Sequence, residues 1–195
     1  METGAIQEVT GTANALVSST VNLNGGLLRL TGATGISASI DTVNINSGGA
    51  NIEVGDAVSS IAAAALLDGG GGGGLTKTGD GSLDLSGINT FTGPVSVNAG
   101  NLTISNYGGL DANSSLITVA GGNAGLNLQM VGTGATSDSY AQNLSLNGFL
   151  RGTGGSSGNT LSVTWSGNVT LGGSGTINPN GNTSFDIDGQ VNLGA

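Results

Sequence analysis

Apolar residues alternate with polar ones in many short segments of the chain, and most of these segments end at a glycine or an asparagine. The apolar pairs of these segments are Val21/Leu23, Leu28/Leu30, Val43/Ile45, Ile52/Val54, Leu83/Leu85, Val95/Val97, Leu102/Ile104, Ile117/Val119, Leu126/Leu128, Leu144/Leu146, Leu161/Val163, Val169/Leu171, Phe185/Ile187 and Val191/Leu193. Alternation with a period of two indicates a β-strand that buries one face. The sequence therefore predicts an all-β chain built from strands of about three to five residues.

The strand pattern recurs on two longer scales. Residues 21–54 align without a gap on residues 95–128, which we interpret as an internal duplication. Within the first copy Val21 leads to Val43 and Leu28 to Ile52, a step of roughly 22–24 residues. Two or three short strands in such a step are typical of one turn of a parallel β-solenoid, whose turns stack about 4.8 Å apart.

We therefore predict one domain over residues 1–195, a single-stranded parallel β-helix (β-solenoid) of about eight turns. The alternative is a β-sandwich or jelly roll, although those folds usually have longer strands and more aromatic residues. Apolar residues make up 36% of the chain and aromatic residues only 3%, which favours a thin core. The 39 glycines lack the three-residue period of collagen. The glycine run at residues 69–74 is interpreted as a corner.

The charge of the chain excludes some partners. Its net charge is −9, and its three cations are Arg29, Lys77 and Arg151. Three scattered cations cannot neutralise a track of phosphates, so we expect no nucleic-acid partner and no binding to an anionic membrane. The longest apolar run, residues 61–67, is too short to span a bilayer.

Few residues of the chain offer chemistry. Histidine and cysteine are absent, which excludes histidine-based catalysis and His/Cys metal sites. The acidic pairs Asp186/Asp188 and Asp80/Asp84 supply the two carboxyl groups that glycoside hydrolysis needs, but we interpret them as solvated strand residues. Likewise GDGSLDL is interpreted as a glycine corner rather than a calcium loop. We therefore expect no catalysis, no metal and no cofactor.

One segment lacks the strand pattern. Residues 131–142 are rich in small polar residues and end near Tyr140, so we predict a protruding loop there. The rings of Tyr107 and Tyr140 have the shape to stack on sugars and are possible ligand contacts. The alternative is that both rings cover strand ends.

Residues 73–105 carry four motifs in series. They are GGLTKTG at residues 73–79, GSLDLSG at 81–87, NTFTG at 89–93 and VSVNAGNL at 95–102. This stretch resembles the autotransporter-associated β-strand repeat, also called the passenger-associated transport repeat, although Pro94 departs from it. The resemblance implies a right-handed parallel β-helix on a bacterial surface or in a secreted protein. Export would use a signal peptide and a C-terminal outer-membrane barrel that these residues do not include.

From these features we expect a non-catalytic extracellular scaffold within an autotransporter-like passenger. One alternative is an adhesin that binds host or matrix glycans or proteins through loops such as residues 131–142. Another is a fibre subunit that associates end to end. The last strand pattern holds Val191 and Leu193 in register, and a sheet edge left open invites pairing with another chain.

Overall fold

The computed structural model describes residues 2–3, 7–10, 20–31, 42–55, 59–62, 64–106, 109–110, 116–129, 136–154 and 160–194. Every regular element in these ranges is a β-strand. The strands are β1 (Glu2–Thr3), β2 (Gln7–Thr10), β3 (Thr20–Leu23), β4 (Leu27–Thr31), β5 (Thr42–Ile45), β6 (Ala50–Val54), β7 (Ser59–Ala62), β8 (Leu66–Asp68), β9 (Leu75–Thr78), β10 (Ser82–Leu85), β11 (Val95–Val97), β12 (Asn101–Ile104), β13 (Leu116–Val119), β14 (Gly125–Gln129), β15 (Thr136–Tyr140), β16 (Asn143–Leu146), β17 (Phe149–Thr153), β18 (Leu161–Trp165), β19 (Val169–Leu171), β20 (Thr176–Asn180), β21 (Thr183–Ile187) and β22 (Val191–Leu193).

All strand pairs in the described ranges are parallel. The longest sheet within the described residues stacks nine strands in the order β2-β4-β6-β9-β11-β13-β16-β19-β22. The other sheets there have the orders β1-β3-β5-β8, β20-β17-β14-β12-β10-β7 and β15-β18-β21. Stacked parallel strands that return to the same face after each turn form a β-solenoid. The predicted fold is confirmed. The predicted number of turns, about eight, lies between the nine strand levels of the longest sheet and the six levels of the next.

The register of the strands reproduces the step that the sequence predicts. The Cα partners include Val21 with Val43, Leu28 with Ile52, Val95 with Ile117, Leu102 with Leu126, and Val169 with Val191. Polar side chains on the outer face keep the same step, since Asn44 Nδ2 donates to Asn22 Oδ1 at 2.9 Å. One turn therefore places equivalent residues directly above one another.

Branched aliphatic side chains fill the interior in continuous columns. From Leu75 to Leu128 the inward Leu, Ile and Val residues of the described strands are buried. Burial of each such side chain contributes roughly 1.5–3 kcal/mol relative to exposure. The alignment of residues 21–54 on 95–128 places β3, β4, β5 and β6 on β11, β12, β13 and β14. The duplication itself stays a prediction.

Two segments that lack the alternating pattern, residues 69–74 and 136–140, differ from each other in structure. Residues 69–74 join β8 to β9, and Gly70, Gly71 and Gly72 have φ values of 95°, 90° and 66°. Residues 136–140, which the sequence places in a protruding loop, form β15 instead. The strand pattern is hidden there because β15 is polar apart from Tyr140, whose side chain is buried in the interior. Residues 131–135 lie outside the described residues.

The last turn exposes its apolar side chains. Val191 is 48% exposed and Leu193 is 82% exposed, whereas Val169, one turn earlier in the same column, is buried. The expected end-to-end association stays a prediction. A rise in particle mass with protein and salt concentration would support it, since the acidic charge opposes contact at low salt.

Candidate functional site

The corner after β10 is fastened by a buried asparagine. Asn89 is 1% exposed, and its Oδ1 accepts a hydrogen bond from the backbone N–H of Leu66 at 2.8 Å. Its Nδ2 donates to the carbonyl of Gly87 at 3.1 Å and to that of Gly109 at 2.5 Å. Leu66 lies one turn before Asn89 and Gly109 lies one turn after it. This one side chain therefore connects three successive turns.

The residues that follow Asn89 complete the corner. Phe91 is buried in the core, while Thr92 Oγ1 donates to Asp68 Oδ2 at 2.8 Å. The backbone N–H of Thr90 donates to the carbonyl of Leu66 at 2.9 Å. The motif NTFTG thus alternates between contacts inside the coil and contacts to the turn before it.

Lys77 points inward from β9. Its Cα pairs with Ile52 on one side and Val97 on the other, so it occupies a position that aliphatic residues fill in the neighbouring turns. The side chain is fully buried, and Nζ donates to the carbonyls of Thr78 at 2.8 Å, Gly79 at 2.8 Å and Ala99 at 3.1 Å. The ammonium group therefore caps backbone carbonyls at two consecutive corners.

The environment of Lys77 shifts its protonation. Burial lowers the pKa of the Lys77 ammonium from 10.5 to about 8, and the nearby charges of Asp80 and Glu53 oppose that shift. At neutral pH the group is mainly charged, which suits three carbonyl acceptors. Its place inside the coil and its partners indicate a structural role rather than one in chemistry.

A shallow polar cleft crosses the corners of three turns. It has a volume of about 290 Å³ and is lined by Ser47, Gly48, Gly49, Asn51, Gly72, Gly74, Thr76, Pro94 and Ser96. None of these side chains is charged or aromatic. The cleft offers hydroxyl and amide groups without a group for acid–base chemistry.

Tyr140, one of the two predicted ligand contacts, lies inside the coil. It is 2% exposed, and its ring stacks on Trp165 with 4.9 Å between ring centroids. The hydroxyl donates to Asp138 Oδ2 at 2.7 Å, while burial and the charge of Asp138 raise the pKa of Tyr140 well above 10. Ligand contact at Tyr140 stays a prediction, and it requires the ring to leave this position. Tyr107 lies outside the described residues.

The acidic pairs weighed from the sequence occupy the outer surface. Asp186 and Asp188 are exposed, and Asp84 Oδ1 accepts a hydrogen bond from Ser105 Oγ at 2.5 Å. Within the described part of the chain, no three His, Cys, Asp or Glu side chains gather into a group suited to a metal ion. The same residues include no helix long and apolar enough to cross a membrane.

The three cations have different environments. Arg29 forms a two-point ion pair with Glu53 on the next turn, Nε to Oε1 at 3.0 Å and Nη2 to Oε2 at 3.1 Å. Lys77 is enclosed by carbonyls. Arg151 lies on the outer face of β17, where its Cζ is 4.7 Å from the centroid of the Phe149 ring. Sequence reasoning named these residues only as charges and did not single out Asn89 or Trp165.

Comparisons with known proteins agree with this structure. The fold places the chain in the class of parallel β-solenoids, and the NTFTG motif forms one of its corners. Residues 75–104 match the family model of the passenger-associated-transport-repeat, so the chain carries this repeat and the predicted resemblance is confirmed. No solved structure matches the chain.

A curated relative points in the same direction. Over 54 residues the chain is 48% identical to a protein named adhesin BmaC autotransporter, from Brucella suis biovar 1 (strain 1330). The match covers 28% of this chain and 2% of that protein. The repeat and this relative show that part of the chain is similar to autotransporter passenger sequence.

Proposed function

We propose that this chain is a non-catalytic scaffold within an exported passenger, a rigid segment that holds other parts of a larger protein away from the cell. The observation that supports the proposal is the continuity of the stacked turns. The nine-stranded sheet extends through the described turns, and the buried side chains of Asn89 and Lys77 connect adjacent turns of the coil. Such a stack resists bending because each turn is bonded to both neighbours.

Rigidity gives a direct test. Nine levels about 4.8 Å apart predict a rod about 40 Å long along its axis, which small-angle X-ray scattering measures. Amide hydrogen exchange of β9, β11 and β13 is expected to be slow and similar in rate. A flexible scattering profile, or rapid exchange in these central strands, contradicts the scaffold proposal.

Catalysis is the competing function for a β-solenoid. Incubation with acidic polysaccharides, followed by assay for new reducing or unsaturated ends, tests it. We expect no new ends, because Asp186 and Asp188 are exposed and neither lines the described cleft. Release of new ends that is lost in Asp186→Asn contradicts the non-catalytic part of the proposal.

Adhesion is a second candidate function, favoured by the name of the Brucella suis relative. The outer faces of the described strands carry amide and hydroxyl side chains such as Asn127 and Thr176, which suit hydrogen bonding to glycans. A glycan array probed with the full chain tests this candidate. Binding to defined glycans supports it, and a blank array contradicts it.

A further inference from the structure

Arg151 differs from the other two cations because, within the described residues, neither a carboxylate nor a backbone carbonyl is bonded to its side chain. Arg29 is paired with Glu53, and Lys77 is buried among carbonyls. Within the described residues no carboxylate forms an ion pair with Arg151. In a chain of net charge −9, this side chain is a positive group that no described carboxylate pairs with.

The Arg151 guanidinium is held in place by its own strand. Phe149 and Arg151 are two residues apart on β17, so both project from the outer face, and the guanidinium lies over the ring at 4.7 Å. Contact with an aromatic face orients the planar group while leaving its edge donors available. A two-point bond to a carboxylate is therefore geometrically open to it.

Residues with amide and hydroxyl side chains flank this cation on the neighbouring strands. In the register of the sheet, Arg151 lies between Asn127 of β14 and Asn178 of β20, while Phe149 lies beside Thr176. Asn127 Oδ1 is buried and has no hydrogen-bond partner in the described part of the chain. Rotating this amide towards a ligand hydroxyl therefore sacrifices no existing bond of that oxygen. We call Asn127, Phe149, Arg151, Thr176 and Asn178 the Arg151 surface.

The chemistry of the Arg151 surface selects a ligand class. One cation among neutral hydrogen-bonding groups matches one carboxylate among hydroxyls. A polyanion is disfavoured, because the remaining acidic charge of the protein repels it. We propose that the Arg151 surface binds a carboxylated sugar, with Arg151 on the carboxylate and the amides on ring hydroxyls. This proposal rests on the adhesive candidate above and gives it a location and a ligand.

Two ligands that differ only in the carboxylate test the proposal. The full chain is titrated with methyl β-D-glucuronide and with methyl β-D-glucoside, and the side-chain NMR signals of Arg151 and Asn127 are followed. We expect weak binding of the glucuronide, about tenfold tighter than the glucoside, because the carboxylate bond is charge-assisted. The preference should fall as salt is added, since the pair is partly exposed.

Variants assign the binding to Arg151. Arg151→Gln is expected to remove the preference for the glucuronide, and Phe149→Leu to reduce it severalfold with the charge intact. Arg29→Gln changes the net charge by the same amount and is expected to leave the preference unchanged. An unchanged preference in Arg151→Gln, or none in the wild type, overturns the proposal. Equal binding of acetate overturns the sugar assignment.

The glycan array separates this proposal from the adhesive candidate. If the wild type binds glycans on the array and Arg151→Gln binds them equally, adhesion stands and the Arg151 surface is not its site. If the array is blank while the glucuronide still binds at Arg151, the site stands and adhesion fails. Loss of array binding in Arg151→Gln but not in Arg29→Gln supports both.

Discussion

Replacing Asn89 by alanine is expected to loosen three turns at once. The substitution removes the acceptor for the Leu66 N–H and the donors to the carbonyls of Gly87 and Gly109. The contacts with Leu66 and Gly109 are buried, so water does not readily replace them. Gly87 is only half-buried, and its carbonyl can turn to water.

The magnitude follows from these three bonds. A hydrogen bond contributes about 1 kcal/mol net, and a buried group left without a partner costs a further ~1–3 kcal/mol. The full cost of three lost bonds and two orphaned backbone groups would apply only if the surrounding backbone did not relax. Allowing for partial relaxation, we expect Asn89→Ala to lower the free energy of unfolding by about 3–5 kcal/mol.

Urea unfolding followed by the fluorescence of Trp165, the single tryptophan, measures the global effect. Because a solenoid can open locally, hydrogen exchange of β8 and β9 should be measured as well. Asn106→Ala is the matched control, since its Nδ2 makes one partly buried bond to the Ser86 carbonyl at 2.9 Å. It should cost only about 0.5–1 kcal/mol. Equal losses in the two variants would refute the reasoning.

The predictable part of this fold is what repetition encodes. Val95 and Ile117 are Cα partners because each begins a short alternating segment one step apart, and that step is visible in the sequence. Parallel stacking turns a step along the chain into vertical contact, so a periodic pattern specifies both strand pairing and core. No long-range information beyond the period is needed.

The alternating pattern does not predict the interior polar residues, because a polar residue type normally indicates an outward position. Lys77 follows Leu75 by two residues and therefore shares its inward face. A lysine at such a position is normally assigned to the outer face, and only the carbonyls of the adjacent corners make the inward placement stable. Those carbonyls depend on corner geometry, which alternation does not encode.

The aromatic pair and the Arg151 surface show the same limit. Tyr140 and Trp165 are Cα partners one turn apart, so spacing alone could have suggested their contact. The segment before Tyr140 is polar, and its composition therefore predicts a loop. Phe149 and Arg151 are two residues apart, but that spacing does not reveal that Arg151 lacks an anionic partner. The contrast between Arg151 and the other two cations is visible only in the structure, which shows the partners of Arg29 and Lys77.

Two further perturbations test the corner and the buried cation. In Gly93→Ala the new methyl group overlaps backbone atoms of residues 72–74, whereas in Gly173→Ala it meets nothing within 4 Å. Thermal unfolding should therefore show marked destabilisation in the first variant and almost none in the second, and equal stability would contradict the close approach of these turns. Lys77→Met keeps an unbranched side chain in the column and removes the proton. Because the Lys77 pKa is about 8 in the folded protein against 10.5 for the free group, the unfolded chain holds this proton between those pH values after the folded protein has released it. The stability of the wild type relative to Lys77→Met should therefore rise with pH in this window, by at most about 1.4 kcal/mol per unit, and be level below pH 8. Urea unfolding of both proteins from neutral to alkaline pH measures the difference, and a difference that stays constant or falls would show that burial does not lower the Lys77 pKa.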